Sequence, residues 1–204
     1  MKFVCLSDLH GIFPSPDNLP DGDAILFCGD ATNLGRPQEV ALFFQWFSSL
    51  NYQHKICIAG NHDFLFQEYS LVQAFIPKNV TYLFDNIFEL KGKIIYGTPW
   101  QPWFGGWAFN KSEFELEQYY SRIPEETDIL ITHCPPRNIL DENVMGEKCG
   151  SSSLLERVLQ LKELKLHVFG HIHESGGQLL EQNGVKFVNA SYYEGATPIM
   201  TIEI

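Results

Sequence analysis

The chain lacks several features that would assign it to a special class. It has no C-x-x-C pair, and Cys5, Cys28, Cys57, Cys134 and Cys149 are odd in number, with the first three inside apolar runs. Neither a disulfide scaffold nor a structural zinc knuckle is indicated, and a reducing, cytoplasmic setting is expected. No apolar run approaches the roughly 18 residues needed to cross a bilayer, so no membrane association, signal peptide or anchor is expected. Basic residues are scarce: 14 Lys plus Arg against 25 Asp plus Glu leave a formal charge of -11. That balance argues against binding long nucleic acid through a basic face. Phosphate-loop, G-x-G-x-x-G, G-x-S-x-G and H-E-x-x-H motifs are all missing, which removes kinase, dehydrogenase, α/β-hydrolase and zincin readings.

Hydrophobic residues make up 45% of the 204 and aromatics 14%, enough to bury a large core and to exclude global disorder. No linker, repeat or low-complexity tract interrupts the chain, which reads as one domain over 1–204. Short apolar runs alternate with amphipathic stretches, the pattern of layered α/β architecture. Strands are expected at Lys2 to Ser7, Ala24 to Cys28, Lys55 to Ala59, Lys93 to Gly97, Asp128 to Thr132, Leu166 to Phe169, Lys186 to Asn189 and Ile199 to Ile204. Several show little polar alternation, as strands covered on both faces do. Helices are expected at Pro37 to Leu50, Lys111 to Arg122 and Ser151 to Lys165, with a short one near Glu68 to Phe75. Late in the chain, Gly177 to Gln182, Val185 to Asn189 and Ile199 to Ile204 read as an antiparallel meander finishing one sheet.

The residues after the buried runs carry the chemical information. Lys2 to Ser7 ends in Asp8-Leu9-His10, Ala24 to Cys28 in Gly29-Asp30, and Lys55 to Ala59 in Gly60-Asn61-His62-Asp63. Asp128 to Thr132 ends in His133, and Leu166 to Phe169 in Gly170-His171-Ile172-His173. Oxygen and imidazole donors thus collect at the carboxyl ends of strands, where open α/β sheets bind ligands. Carboxylates gathered there repel one another and lose hydration unless cations sit among them. Alternation within Asp8-Leu9-His10 and His171-Ile172-His173 is expected to place both donors on one side of an extended segment. The donor mixture suits Mn, Fe, Zn or Ni, with manganese favoured, and there are more donors than one such ion takes. Two divalent ions sharing Asp30, about 3.5 to 4 Å apart, is the economical reading.

This ordered set of D-x-H, G-D, G-N-H-D, I-T-H and G-H-x-H resembles the calcineurin-like metallophosphoesterase superfamily along nearly the whole chain. Tyr96 to Trp103, Thr132 to Pro136, Phe169 to Glu174 and Asn189 to Ser191 are similar to its metallophosphoesterase-domain-containing branch of phosphodiesterases. The resemblance implies a four-layer αββα sandwich of two mixed sheets flanked by helices. It further implies one metal at Asp8, His10 and His173, a second at Asn61, His133 and His171, and Asp30 bridging them. His62 would contact the scissile phosphate and protonate the leaving oxygen, while a hydroxide bound between the metals attacks.

The second block departs from the G-D-x-x-D-R-G of the superfamily's protein phosphatases. Asn33 and Leu34 stand where an Asp orients the catalytic His and an Arg grips a phosphomonoester. That loss disfavours dianionic substrates, although Arg36 lies two residues on and could compensate in part. Asp63 has two roles open to it, orienting His62 or capping the helix that follows. Asn33 either donates to substrate or makes a turn with Gly35. The aromatic loop Trp100 to Phe109, with Trp100 and Trp103 foremost, is either a hydrophobic lid or a wall that stacks a nucleobase or aryl group. His54 and His167 are read as structural, and Cys134 as an ordinary loop thiol. The expected activity is hydrolysis of a small phosphodiester such as a cyclic nucleotide. Phosphomonoesterase activity and a catalytically weak ligand-binding scaffold are the alternatives.

Overall fold

A computed structural model describes all residues, 1–204. Strands β1 (Lys2–Leu6), β2 (Ala24–Cys28), β3 (His54–Ile58) and β4 (Thr81–Tyr82) run parallel, and β13 (Met200–Glu203) pairs antiparallel with β1, giving the order β13-β1-β2-β3-β4. The second sheet contains β5 (Asn86–Leu90), β6 (Lys93–Thr98), β9 (Ile129–Thr132), β10 (Leu166–Phe169), β11 (Gln178–Gln182) and β12 (Val185–Asn189), in the order β11-β12-β10-β9-β6-β5. Its inner pairs are parallel and both edge pairs antiparallel. A two-residue ribbon joins β7 (Gln101–Pro102) to β8 (Asn110–Lys111).

Strand periodicity builds the layers. In β1, Phe3 and Cys5 point between the sheets, where they join Leu26, Ile56, Ile95, Ile131 and Val168. The alternate residues Val4 and Leu6 face α1 (Pro37–Ser49), packing with Phe27 and the stripe Val40, Phe43, Phe44 and Phe47. Each of these α1 side chains is at most 1% exposed, and burying each contributes on the order of 2 kcal/mol. On the far side, Leu130, Phe169 and Phe187 meet Leu116 and Tyr120 of α3 (Glu113–Tyr120) and Leu154 and Val158 of α4 (Ser152–Gln160). The result is the expected four-layer αββα sandwich.

Three expectations need correction. The closing meander does not form: β13 leaves β11 and β12 and crosses to β1 in the other sheet, where Ile202 enters the inter-sheet core. Helix α4 stops at Gln160, because Leu161 and Leu164 turn into the core instead of continuing the stripe. Helix α3 starts after Ser112, whose Oγ accepts from Glu115 N while Glu115 accepts from Ser112 N. An additional strand, β5, pairs with β6 through Asn86 to Leu90, a polar and half-exposed edge that the hydrophobic pattern does not mark. The short α2 (Tyr69–Val72) continues as a 3-10 turn to Phe75.

Candidate metal centre

Five strand ends converge on one edge of the sandwich, but not by extended alternation. Asp8, His10, Asp30 and His171 all have left-handed backbones, with φ of 58°, 46°, 56° and 69°. Such conformations cost a non-glycine residue of order 1 kcal/mol or more and gather at functional sites. The turns, rather than a pleated strand, swing Asp8 and His10 together while Leu9 stays buried. His173 begins a 3-10 turn, so it parts from His171 instead of sharing its face. Glycine makes the close approach possible. A Cβ on Gly60 would strike the Asp30 carboxylate and backbone, and one on Gly170 would strike the Asp8 carboxylate and Ser7.

Three overlapping donor groups result: Asp8, His10 and His173; His10, Asp30 and His62; and Asp8, Asp30 and His133. Asp8 Oδ1 lies 3.3 Å from His173 Nε2, which lies 3.3 Å from His10 Nε2. Asp30 Oδ2 lies 3.3 Å from His133 Nε2 and 3.8 Å from His10 Nε2. Asn61 Oδ1 lies 2.9 Å from His133 Nε2. His133 Nδ1 donates to the Cys28 carbonyl at 2.8 Å, which leaves Nε2 as the atom aimed at Asp30 and Asn61. His171 stands just outside these groups, its ring 5.0 Å from that of His133, while its backbone N–H donates to the Asp8 carboxylate.

Apart from protonation, these atoms are all acceptors. Asp8, Asp30 and His133 are no more than 2% exposed, and buried acceptors facing one another need a proton or a cation between them. The charge states reflect this. Burial pushes Asp8 and Asp30 up, but the neighbouring imidazoles overcome it and hold both carboxyls below their usual range. Burial pushes His133 down, yet Asp30 more than offsets it and raises the imidazole to about 9. His173 is raised in the same way, its burial outweighed by the Asp8 hydrogen bond. Burial, then the charge of His133, lowers His171 to about 4 and keeps it neutral. Clustered carboxylate and imidazole donors of this kind fit a divalent transition metal.

His62 shares a donor group with His10 and Asp30, and its backbone N–H donates to Asp30 Oδ1 at 2.8 Å. Its Nδ1 lies 2.8 Å from the Asn33 carbonyl and can only donate there, and Trp107 covers its ring with centroids 4.0 Å apart. The backbone of residue 33 therefore orients the imidazole, which removes the need for an acidic side chain at that position. The Asn33 amide itself donates to His10 O at 2.8 Å and lines the cleft beside His62.

Three sequence readings do not survive the geometry. Asp63 neither orients His62 nor caps the following turn. Its fully buried carboxylate accepts from Gly60 N (2.9 Å), Ala31 N (3.3 Å), Thr32 N (3.0 Å) and Thr32 Oγ1 (2.7 Å), tying the loop after β2 to the loop after β3. Burial and then the Asp30 charge push its carboxyl up to about 6, against the pull of these donors. Trp100 is not a cleft residue: its indole donates to Asp85 Oδ2 at 2.7 Å and packs on Tyr119 between two core clusters. Arg36 precedes α1 with its backbone bound to Glu39, and it lines neither of the two cavities that border the donor groups. Trp103 lies instead beside His171 in a second cavity. Tyr193, which no sequence pattern marks, stacks on His173 at 4.2 Å from within an aperiodic turn. Trp107 was visible only as one aromatic of a loop.

The cleft beside His62 and His173 has a volume of about 590 Å³ and no Lys or Arg in its lining; Glu39, Glu194 and Tyr193 border it. No helix is long and apolar enough to cross a membrane.

Comparison with known proteins identifies the family. Metallophosphoesterase domain-containing protein 1 of Homo sapiens is 37% identical over 233 residues, spanning 100% of this chain and 71% of that protein. UPF0046 protein T07D4.2 of Caenorhabditis elegans is 36% identical over 219 residues, covering 93% of this chain and 55% of that protein. Among solved structures, phosphopantetheinyl hydrolase from Mycobacterium tuberculosis superposes with a TM-score of 0.63 at 13% identity, covering 94% of this chain and 89% of that one, which supports the fold. The calcineurin-like phosphoesterase pattern matches residues 1–175, over which all the strand-end donors fall, and the chain belongs to that family.

Proposed function

We propose that this chain is a dinuclear-metal-dependent phosphodiesterase acting on a small diester such as a cyclic nucleotide. Asp8, His10 and His173 would hold one cation, Asn61, His133 and His171 the other, and Asp30 would be shared. When bound, such a pair supplies Lewis acidity toward phosphoryl oxygens and lowers the pKa of water. With Nδ1 committed to the Asn33 carbonyl, His62 has Nε2 free to carry a proton to the leaving oxygen. Trp107 limits rotation of that ring. Five unpaired cysteines are consistent with the cytoplasm.

The observation that carries the diester reading is the cationless cleft. A phosphomonoester dianion is ordinarily gripped by a guanidinium fork, and here Arg36 lies outside while Glu39 and Glu194 border the space. A monoanionic diester suffers less from those carboxylates, and sugar hydroxyls can donate to them. The test is turnover of bis-p-nitrophenyl phosphate against p-nitrophenyl phosphate by protein stripped with chelator and reloaded with manganese. Activity should vanish on chelation, return with metal and favour the diester. A clear monoester preference would establish the phosphomonoesterase alternative, and no hydrolysis of either ester at saturating manganese would favour a binding scaffold.

A further inference from the structure

His173 also borders a second cavity, of about 460 Å³, whose lining includes Pro102, Trp103, Phe104, His171 and Glu174. It contains neither His62 nor any Lys or Arg. Trp103 and Phe104 are 72% and 61% exposed, an unusual cost for two large aromatics with no core partner. Their segment is nonetheless held in place. The Phe104 carbonyl accepts from Asn110 Nδ2 at 2.9 Å and from Trp107 N at 3.2 Å, and the Phe104 ring stands edge-on to His171 at 6.5 Å. Trp100, by contrast, packs against two core clusters and is tied to Asp85.

An acyclic phosphodiester, unlike a cyclic one, has two separate organic arms, and the two cavities differ in what they can do with one. Displacement at phosphorus forms a bond to the incoming water oxygen and breaks the bond to the leaving oxygen, which takes its proton from His62; the retained arm departs with the phosphate as a monoester. The leaving arm must therefore occupy the cleft that contains His62. His173 borders both cavities, so a phosphoryl group at the donor cluster has the Trp103 cavity beside it for the other arm.

Resting on the phosphodiesterase reading, we propose that the Trp103–Phe104 cavity seats the retained ester arm and selects an uncharged aromatic group there. Flat aromatic faces recognise aryl rings and bases without reading charge, and Glu174 with the absence of cations disfavours a second phosphate.

Two substrates with one leaving group isolate this arm: p-nitrophenyl phenyl phosphate and p-nitrophenyl methyl phosphate. In manganese-loaded protein the phenyl-to-methyl ratio of kcat/KM should fall about 10-fold on Trp103→Ala, equivalent to about 1.4 kcal/mol. A binding readout independent of turnover is quenching of tryptophan emission by phenyl methylphosphonate, expected in the native protein and lost in Trp103→Phe. Trp103 is exposed, so folding is not at stake. A ratio unchanged by Trp103→Ala, or quenching unchanged by Trp103→Phe, would overturn the assignment. Failure of both esters to turn over would overturn the phosphodiesterase reading instead, and the quenching experiment would then decide on the cavity alone.

Discussion

Asp63→Asn changes one carboxyl oxygen to an amide at nearly constant volume, and the hydrogen-bond pattern makes its effect calculable. Asp63 Oδ1 accepts from Thr32 N and Oγ1, while Oδ2 accepts from Ala31 N and Gly60 N. Whichever way the new amide turns, its NH2 faces two donors. On the Oδ1 side Thr32 Oγ1 can turn to the His62 carbonyl 3.2 Å away, so the amide settles there and strands mainly Thr32 N. A buried donor left unpaired costs about 1 to 3 kcal/mol, while removing a charge that burial and Asp30 disfavour offsets part of that cost. A loss of about 1 to 2 kcal/mol is expected, and about 4 kcal/mol for Asp63→Ala, which strands every donor. Urea unfolding of the metal-free protein, followed by circular dichroism at constant m-value, measures this directly. Because Asp63 ties Gly60-Asn61 to Ala31-Thr32, manganese affinity should weaken together with stability. A stability change below about 0.5 kcal/mol accompanied by a 100-fold loss of kcat would refute the reasoning and return Asp63 to the role of orienting His62.

His62→Ala should keep its metal content by elemental analysis while turnover falls roughly 100-fold or more; loss of bound metal would count against a proton-donor role. Trp100→Ala should lower stability by about 3 kcal/mol through the cavity and the lost hydrogen bond to Asp85, with no KM effect selective for nucleotides over small aryl diesters. His167 is fully buried and burial lowers its imidazole to about 3, so the unfolded chain binds the proton first. Its contribution is intact above about pH 6.5 and lost as pH falls toward 3, at about 1.4 kcal/mol per unit. Between pH 7 and 5, His167→Leu should therefore lose about 2 kcal/mol less stability than the native chain. Thr132 Oγ1 donates to the Cys134 carbonyl, so this substitution strands no donor, and equal pH slopes would contradict a neutral buried imidazole.

The strands of both sheet interiors were legible because two-sided burial demands unbroken apolar runs, as in Ala24 to Cys28 and Leu166 to Phe169. Helix α1 was legible for the same reason, through its Phe43, Phe44 and Phe47 stripe. Edge elements were not. Asn86 to Leu90 is half exposed, and the choice of β13 between two sheets depends on a partner strand that local periodicity does not name.

The chemistry divides in the same way. Local sequence determined which donors exist and that each follows a buried strand, since a strand's end and its next residue are read within one short window. Only the tertiary structure decided how they meet. Left-handed turns at Asp8, Asp30 and His171, not pleated alternation, bring the side chains together, and glycines at 60 and 170 leave room for them. It also sorted the aromatic loop into a core residue, Trp100, a clamp on His62, Trp107, and a cavity wall, Trp103. Stacking partners such as Tyr193 on His173 lie far apart along the chain in aperiodic turns, so no local pattern carries them. Conformational strain and long-range contact are properties of the folded whole, and they placed His62 against a backbone carbonyl where the expectation had sought an acid.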